Sequence, residues 1–312
     1  MTDSKTTPAI QIPQQNGILV LNKPSGPTSN SCLMAIKRMG QKKIGHAGTL
    51  DPMASGVLLV LLGQATKLSG YLLAGGLKVY RGSLRLGRET DTWDAEGTVV
   101  AEKSWDGIEE NDVTSAIAFW TGVREQTVPP YSAAKHKGQP LYKLARKGSP
   151  VPEKIKRIEV LQAETISVSL PAAEFRIKCS SGTYVRSLAH SLGMRLGCGA
   201  VLTELIREYS HPFGLDKSVS LDFLAAHPER LPDYVLPIED ALPGWPGIQL
   251  TEDEAARVRN GIPLPCPGVF LETLSRNGGL ALLKENDRPI AIARLAADRQ
   301  GNWLTVARGL WD

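Results

Sequence analysis

Apolar positions along the chain switch between the two-residue period of strands and the three-to-four-residue period of helices. Residues 17–21 form a short apolar run that ends at Lys23-Pro24 and predicts a strand. Thr28-Ser29 then caps a helix with Leu33, Ile36 and Met39 on one face and Gly40 at its end. Residues 57–62 are apolar throughout, the pattern of a strand covered on both faces. Residues 78–86 alternate, which puts Tyr80, Gly82, Leu84 and Leu86 on one face and Arg81, Ser83 and Arg85 on the other. A capped helix over 111–120 turns Val113, Ile117 and Trp120 inward. Residues 174–180 alternate again, with Phe175, Ile177 and Cys179 on one side, and 187–196 carry Leu188, Leu192 and Leu196 at helical intervals.

Strands and helices intermix without regular βαβ units, which predicts an α+β fold with helices packed on a sheet. A chain of 312 residues holds one large domain or two unequal ones. Pro243-Gly-Trp-Pro-Gly247 reads as a linker. Beyond it, a helix over 251–260 and strand-like runs at 280–284 and 290–295 predict a small β-rich module. The polar N-terminus lacks the apolar core of a signal peptide, so residues 1–16 read as a loose tail on a cytoplasmic protein. No apolar run approaches the roughly 20 residues of a membrane span.

Composition narrows the chemistry. Cys32, Cys179, Cys198 and Cys266 are widely spaced and form no Cys-x-x-Cys, and the five histidines form no His-Glu-x-x-His, which argues against disulfides and a metal site. The glycines at 45–56 lack the Gly-Lys-Ser/Thr of a nucleotide-binding loop, and no cofactor is expected. Asp91 and Asp94 lack the spacing of a calcium loop and read as turn caps. The net charge of +4 is unevenly spread: residues 133–157 hold eight Lys/Arg against the single acid Glu153. Tyr131, His136 and Tyr142 are interleaved with these cations. Such a segment suits a polyanion whose bases stack on aromatic rings, although a solvated basic face has the same composition.

The richest candidate chemistry lies in Lys43-Ile-Gly-His-Ala-Gly-Thr-Leu-Asp-Pro-Met-Ala-Ser-Gly-Val57. Gly45, Gly48 and Gly56 permit backbone angles and close approaches that other residues resist. Asp51, followed by Pro52, is a carboxylate on a stiff loop at the mouth of a buried strand. That is a suitable place for a nucleophile or base, and equally a composition suited to a tight surface turn.

This loop resembles the signature around the catalytic aspartate of the bacterial TruB-type tRNA pseudouridine-55 synthases. Four further segments occur in the order that family requires. Residues 17–30 resemble its Lys-Pro motif, and Lys78-Val-Tyr80 with residues 86–97 its tyrosine strand and the turn beyond. Residues 129–138 and 141–148 resemble its basic segment, and Ser181-Gly-Thr-Tyr-Val-Arg-Ser-Leu-Ala189 its arginine motif. The resemblance covers roughly residues 17–215. It implies the pseudouridine-synthase fold, a mixed and mainly antiparallel sheet. A catalytic domain would span 17–245 with an RNA-contacting segment near 129–157, and a PUA-like RNA-binding module would span 246–312.

The activity implied is isomerisation of uridine 55 in the T-arm of tRNA, by base flipping, without metal or cofactor. The chain would act as a monomer with no membrane and no obligatory protein partner. Residue by residue, Asp51 is the implied nucleophile or base and Arg186 the cation that orients it and keeps it charged. Tyr80 would stack on the target base. Tyr184, two residues before Arg186, would line the pocket beside it if the backbone there is extended. His46 would fill the gap left by the flipped base, and Leu205 would form an apolar wall. Where the family usually shows Leu-Arg-Arg, this chain has Leu205-Ile206-Arg207, so any phosphate contact of the first arginine is missing. Lys23 and Lys67 read as structural or phosphate-facing. Two rivals compete: an RNA-binding module without catalysis, which would lack the Asp51, Tyr80 and Arg186 set, and a glycosidase. The latter needs a second catalytic carboxylate, and the matching motifs offer none.

Overall fold

In the computed structural model, residues 12–74 and 76–311 are described. Most of the expected N-terminal tail, residues 1–11, lies outside them; residues 14 and 15 are tied to the end of the first helix region by Gln14 Nε2 to the Gly40 carbonyl and by Gln15 N to the Gln41 side chain.

The apolar run after Asn16 forms β1 (Gly17–Lys23). Helix α1 (Ser29–Arg38) follows, with the Thr28 hydroxyl accepting from Ser31 N as its cap and Cys32, Leu33 and Ile36 buried. Strands β2 (Ile44–Ala47) and β3 (Ser55–Leu62) flank the Asp51 loop, and β4 (Lys78–Leu86) alternates buried and open positions as its sequence predicts. A ten-stranded sheet has a main path of seven strands, Val160–Ser169, Ala172–Cys179, β4, Ala200–Ser210, β3, β1 and Val219–Ser220, with β2, Phe213–Gly214 and Val235–Leu236 paired off it to β3, Ala200–Ser210 and β1. It is mainly antiparallel; the parallel contacts are β3 with Ala200–Ser210 and β1 with Val219–Ser220.

The unbroken apolar character of β1 and β3 has a simple cause: the sheet has a core on each side. Leu19, Leu21, Leu58, Val60 and Leu62 enter one cluster, with α1 and the helix Val185–Leu196. Ile18, Val20, Val57, Leu59 and Leu61 enter the other. That second cluster also contains Leu282 and Ile292, which belong to a five-stranded sheet spanning Gly247–Gln249 to Gly301–Gly309, and Leu310, which directly follows its last strand. The small sheet has its own core around Ile248, Val258, Leu274 and Leu283. Its helix Glu252–Arg259 carries a Thr251–Glu254 capping box.

Two local expectations need correction. The helix expected at 111–120 is Glu110–Ala118: it starts one residue earlier, where Glu109 and Asp112 form a capping box, and ends two residues sooner. The premise of an extended backbone from Tyr184 to Arg186 also fails after its first residue: Tyr184 is the extended N-cap of the helix Val185–Leu196, and Arg186 lies in its first turn. The basic residues occupy an excursion closed by antiparallel strands Glu125–Thr127 and Ile155–Arg157. Within it are a hairpin of Lys135–His136 with Gln139–Pro140 and the helix Leu141–Arg146. Among the described residues no helix is long and apolar enough to cross a membrane.

Candidate active site

Loops expose carbonyls that no ladder satisfies, and a loop stays put only when something else bonds them. Between β2 and β3, five carbonyls of residues 48–54 have partners outside the loop. Ser29 Oγ donates to the Leu50 carbonyl at 3.0 Å and accepts from Leu50 N at 2.9 Å. Ser25 Oγ donates to the Met53 carbonyl at 2.9 Å. Lys23, fully buried, donates from Nζ to the Ala54 carbonyl at 2.6 Å and to Pro52 at 3.1 Å, and Gly26 N also reaches Pro52 at 2.8 Å. Arg207 donates from Nη2 to the Gly48 carbonyl at 2.7 Å. Lys23 is thus structural, and burial pulls its pKa below the ordinary lysine value.

Two of the loop glycines answer to backbone demands. Gly48 and Gly56 have φ of +84° and +98°, and a side chain on Gly56 would collide with the Arg207 backbone where the two strands pair. Gly45 differs: it lies in β2 with ordinary space beside it.

The clamped loop aims Asp51 at Arg186. Arg186 Nε donates to Asp51 Oδ2 at 2.8 Å, Nη1 to the Thr92 carbonyl at 2.8 Å and Nη2 to the Tyr131 carbonyl at 3.1 Å. The Arg186 side chain is 4% exposed and that of Asp51 37%, so the carboxylate opens to solvent while its partner does not. A cation in the first turn of a helix works against the helix dipole, and here carboxylates and carbonyls offset that cost. A second carboxylate also faces the pair: Asp94 Oδ2 lies 3.6 Å from Arg186 Nε. A carboxylate of the matching motifs, other than Asp51, thus lies beside Arg186. Asp94 is nonetheless occupied as a turn cap, accepting from the Thr92 hydroxyl and Glu96 N, and burial raises its pKa.

Tyr80 is 6% exposed on β4, in register with Ile177 on one side and Arg207 on the other. Burial raises its hydroxyl pKa, with Arg207 working against the shift. Leu205 pairs opposite Gly82 and is buried. Tyr184 is half-buried, with Lys156 Nζ 5.6 Å from its ring centroid. His46 sits in β2, opposite Val60, rather than on a free loop. Its Nδ1 is buried without a partner among the described residues, and burial followed by the nearby Arg207 charge lowers its pKa.

Sequence reasoning missed the floor of this site. Arg207, 1% exposed, donates to both the Val57 and Gly48 carbonyls at 2.7 Å. Lys78, 4% exposed, bonds Ser210 Oγ at 2.8 Å, and burial with the neighbouring Arg207 charge lowers its pKa to about 7. The available signal was a cation inside each of two otherwise apolar strand faces.

The comparisons with known proteins agree with this architecture. The chain superimposes on a Cbf5-Nop10-Gar1 complex structure with a TM-score of 0.67 at 24% identity, covering 95% of this chain and 85% of that one. An H/ACA RNP bound to a substrate RNA containing 2'-deoxyuridine gives 0.67 at 22% identity, covering 99% and 92%. At these identities the likeness concerns the fold, which is that of the pseudouridine synthases. Residues 37–185 match the TruB family pseudouridylate synthase N-terminal domain, and 186–243 the tRNA pseudouridylate synthase B C-terminal domain. Proteins named tRNA pseudouridine synthase B are 57% identical in Oleidesulfovibrio alaskensis, over 100% of both chains, and in Nitratidesulfovibrio vulgaris, over 96% of this chain and 98% of that one. The chain belongs to the TruB family of pseudouridylate synthases.

Proposed function

We propose that the chain converts uridine 55 in the T-arm loop of tRNA to pseudouridine. The name shared by its 57%-identical relatives supports tRNA as substrate. The observation that carries the reading is the Asp51–Arg186 ion pair at 2.8 Å, in which the carboxylate is the open member. In the isomerisation the N1–C1′ bond breaks, the base turns, C5–C1′ forms, and the proton lost from C5 is balanced by one gained at N1. Asp51 acts at this centre as nucleophile or base, and no external reagent is consumed. Arg186 pairs with it and holds it aimed.

Uridine must leave the stack to reach Asp51, at a cost of a few kcal/mol. Tyr80 and Leu205 line the pocket, Tyr184 borders it, and His46 supports the opened loop. Residues 17–245 form the catalytic domain, the basic excursion grips phosphates, and residues 246–312 hold RNA away from the target. The protein works as a monomer in the cytoplasm. The test is to map pseudouridine in total tRNA from cells lacking the protein, then complemented with wild type or Asp51→Asn. Position 55 should lose its pseudouridine and regain it with wild type alone. Persistent modification without the protein, or restoration by the Asn variant, overturns the reading.

A further inference from the structure

A second cleft, of about 550 Å³, opens between the helix Val185–Leu196, the helix Glu110–Ala118 and the strand Glu125–Thr127. None of Asp51, Arg186, Tyr80 or Leu205 lines it. Its size suits a small organic ligand. Gln126 lines the cleft, is 7% exposed, and has no hydrogen-bond partner for either its amide nitrogen or its amide oxygen among the described residues. A buried amide left unpaired on both atoms is uncommon in folded proteins, and each orphaned group is costly.

The walls are aromatic. Trp93 stacks on His190 with ring centroids 4.3 Å apart and 15° between planes. Burial lowers the His190 pKa, so its ring is a neutral face. Trp93 has φ of +65°, a left-handed conformation that a bulky residue adopts only when its surroundings impose it. Trp120 is also part of the lining, and Phe119, an open aromatic ring, lies under the Arg195 guanidinium at 3.9 Å. Glu125 and Glu153 oppose that one cation at the mouth, which gives a phosphate no seat.

We propose that this cleft binds a nucleobase, whose edge pairs with the Gln126 amide and whose faces lie among the aromatic side chains. A primary amide offers one donor and one acceptor side by side, the pattern that pairs bidentately with a base edge. Aromatic rings accept any base by stacking. The occupant would also touch what holds the catalytic arginine. The Thr92 carbonyl beside Trp93 accepts from Arg186, and Ser187 Oγ donates to the Thr127 carbonyl next to Gln126 at 2.7 Å. The base comes from a free nucleoside or from bound RNA, and the two sources give different results in one experiment.

Trp93 and Trp120 make the cleft its own reporter by tryptophan fluorescence. Adenosine and cytidine are titrated into wild type, Asp51→Asn, Gln126→Leu and Phe119→Ala, and each variant is also titrated with a T-arm stem-loop. Wild type and Asp51→Asn should give the same saturable change with nucleoside, weakened at least about ten-fold by Gln126→Leu and by Phe119→Ala. Gln126→Leu should unfold at an unchanged or higher urea concentration, because no protein bond is lost. If nucleosides give no signal but stem-loop affinity falls about ten-fold in Gln126→Leu, the base belongs to the RNA. If nucleoside and stem-loop binding are both indifferent to Gln126→Leu, the cleft holds only water and the proposal is overturned. The nucleoside readout requires no turnover, so failure of the uridine-55 reading leaves it standing.

Discussion

Arg186 Nη2 donates to the Tyr131 carbonyl at 3.1 Å, so the guanidinium that pairs with Asp51 also holds the root of the basic excursion. In the proposed function, an RNA gripped by the excursion and a base presented to Asp51 would both be referred to this one side chain. Two of its bonds go to carbonyls that a single ammonium could not reach together with the carboxylate.

Arg186→Lys should therefore keep the charge and lose the geometry. We expect the rate of pseudouridine formation at saturating RNA to fall by about 10²-fold or more, the scale of loss when a positioning group is displaced by about 1 Å. Single-turnover assays on a T-arm stem-loop measure this, and a near-normal rate would remove the orienting role.

Lys135, Lys137, Lys143 and Lys147 are all open to solvent on the excursion. Changing the four to Gln should weaken RNA binding and reduce the slope of log affinity against log salt by about 3 units, if each lysine meets one phosphate. An unchanged slope would mean that these cations face only water.

Lys78 ties stability to pH. Its folded pKa is about 7 against an ordinary 10.5, so below about pH 7 the folded chain bears the full cost of a buried ammonium. Between these values the unfolded chain binds a proton that the folded chain has released, and stability rises with pH across that window. The stability of Lys78→Met relative to wild type should be most favourable near pH 6 and decline toward about pH 10. Urea midpoints at the two pH values give the answer; a constant difference would show that Lys78 is charged throughout.

Deleting residues 247–312 tests how far the small sheet supports the large one. Leu282, Ile292 and Leu310 share a cluster with Ile18, Val20 and Leu59, and Lys67 Nζ donates to the Trp311 carbonyl at 2.7 Å. Removing three buried aliphatic side chains from this cluster exposes surface worth roughly 1.5–3 kcal/mol each. The truncated chain should be less stable by several kcal/mol and less active on a minimal stem-loop as well as on whole tRNA. Full activity on the stem-loop would mean that the sheet contributes only RNA contacts.

The sheet was legible because periodicity reports burial directly: β4 alternates along its length, and β1 and β3, with a core on each face, do not. Arg186 and Asp51 were legible as motif members, and the structure brings them together. Their supports were not, since a buried cation and a surface cation look alike in a sequence. Lys78 and Arg207 bond a hydroxyl or a carbonyl deep in the fold, and Lys23 alone of the three read as structural, without its partners. Asp94 was readable as a turn cap, yet its approach to Arg186 depends on a contact between segments 92 residues apart. The Gln126 amide left no trace in any pattern, because its isolation is a property of the packing around it.

The bonding of residues 48–54 has a consequence for insertions and deletions. Five carbonyls of this loop meet partners on β1, α1, the turn between them and the strand Ala200–Ser210, so one residue added or lost would put most of them out of step together. The excursion between Thr127 and Ile155 is closed instead by a ladder of three residue pairs, and much of its far part is open. Descendants of this chain are free to lengthen or shorten that arm, and a protein engineer could graft another onto the same ladder. The loop that carries Asp51 has a length that can be kept or lost, but not adjusted.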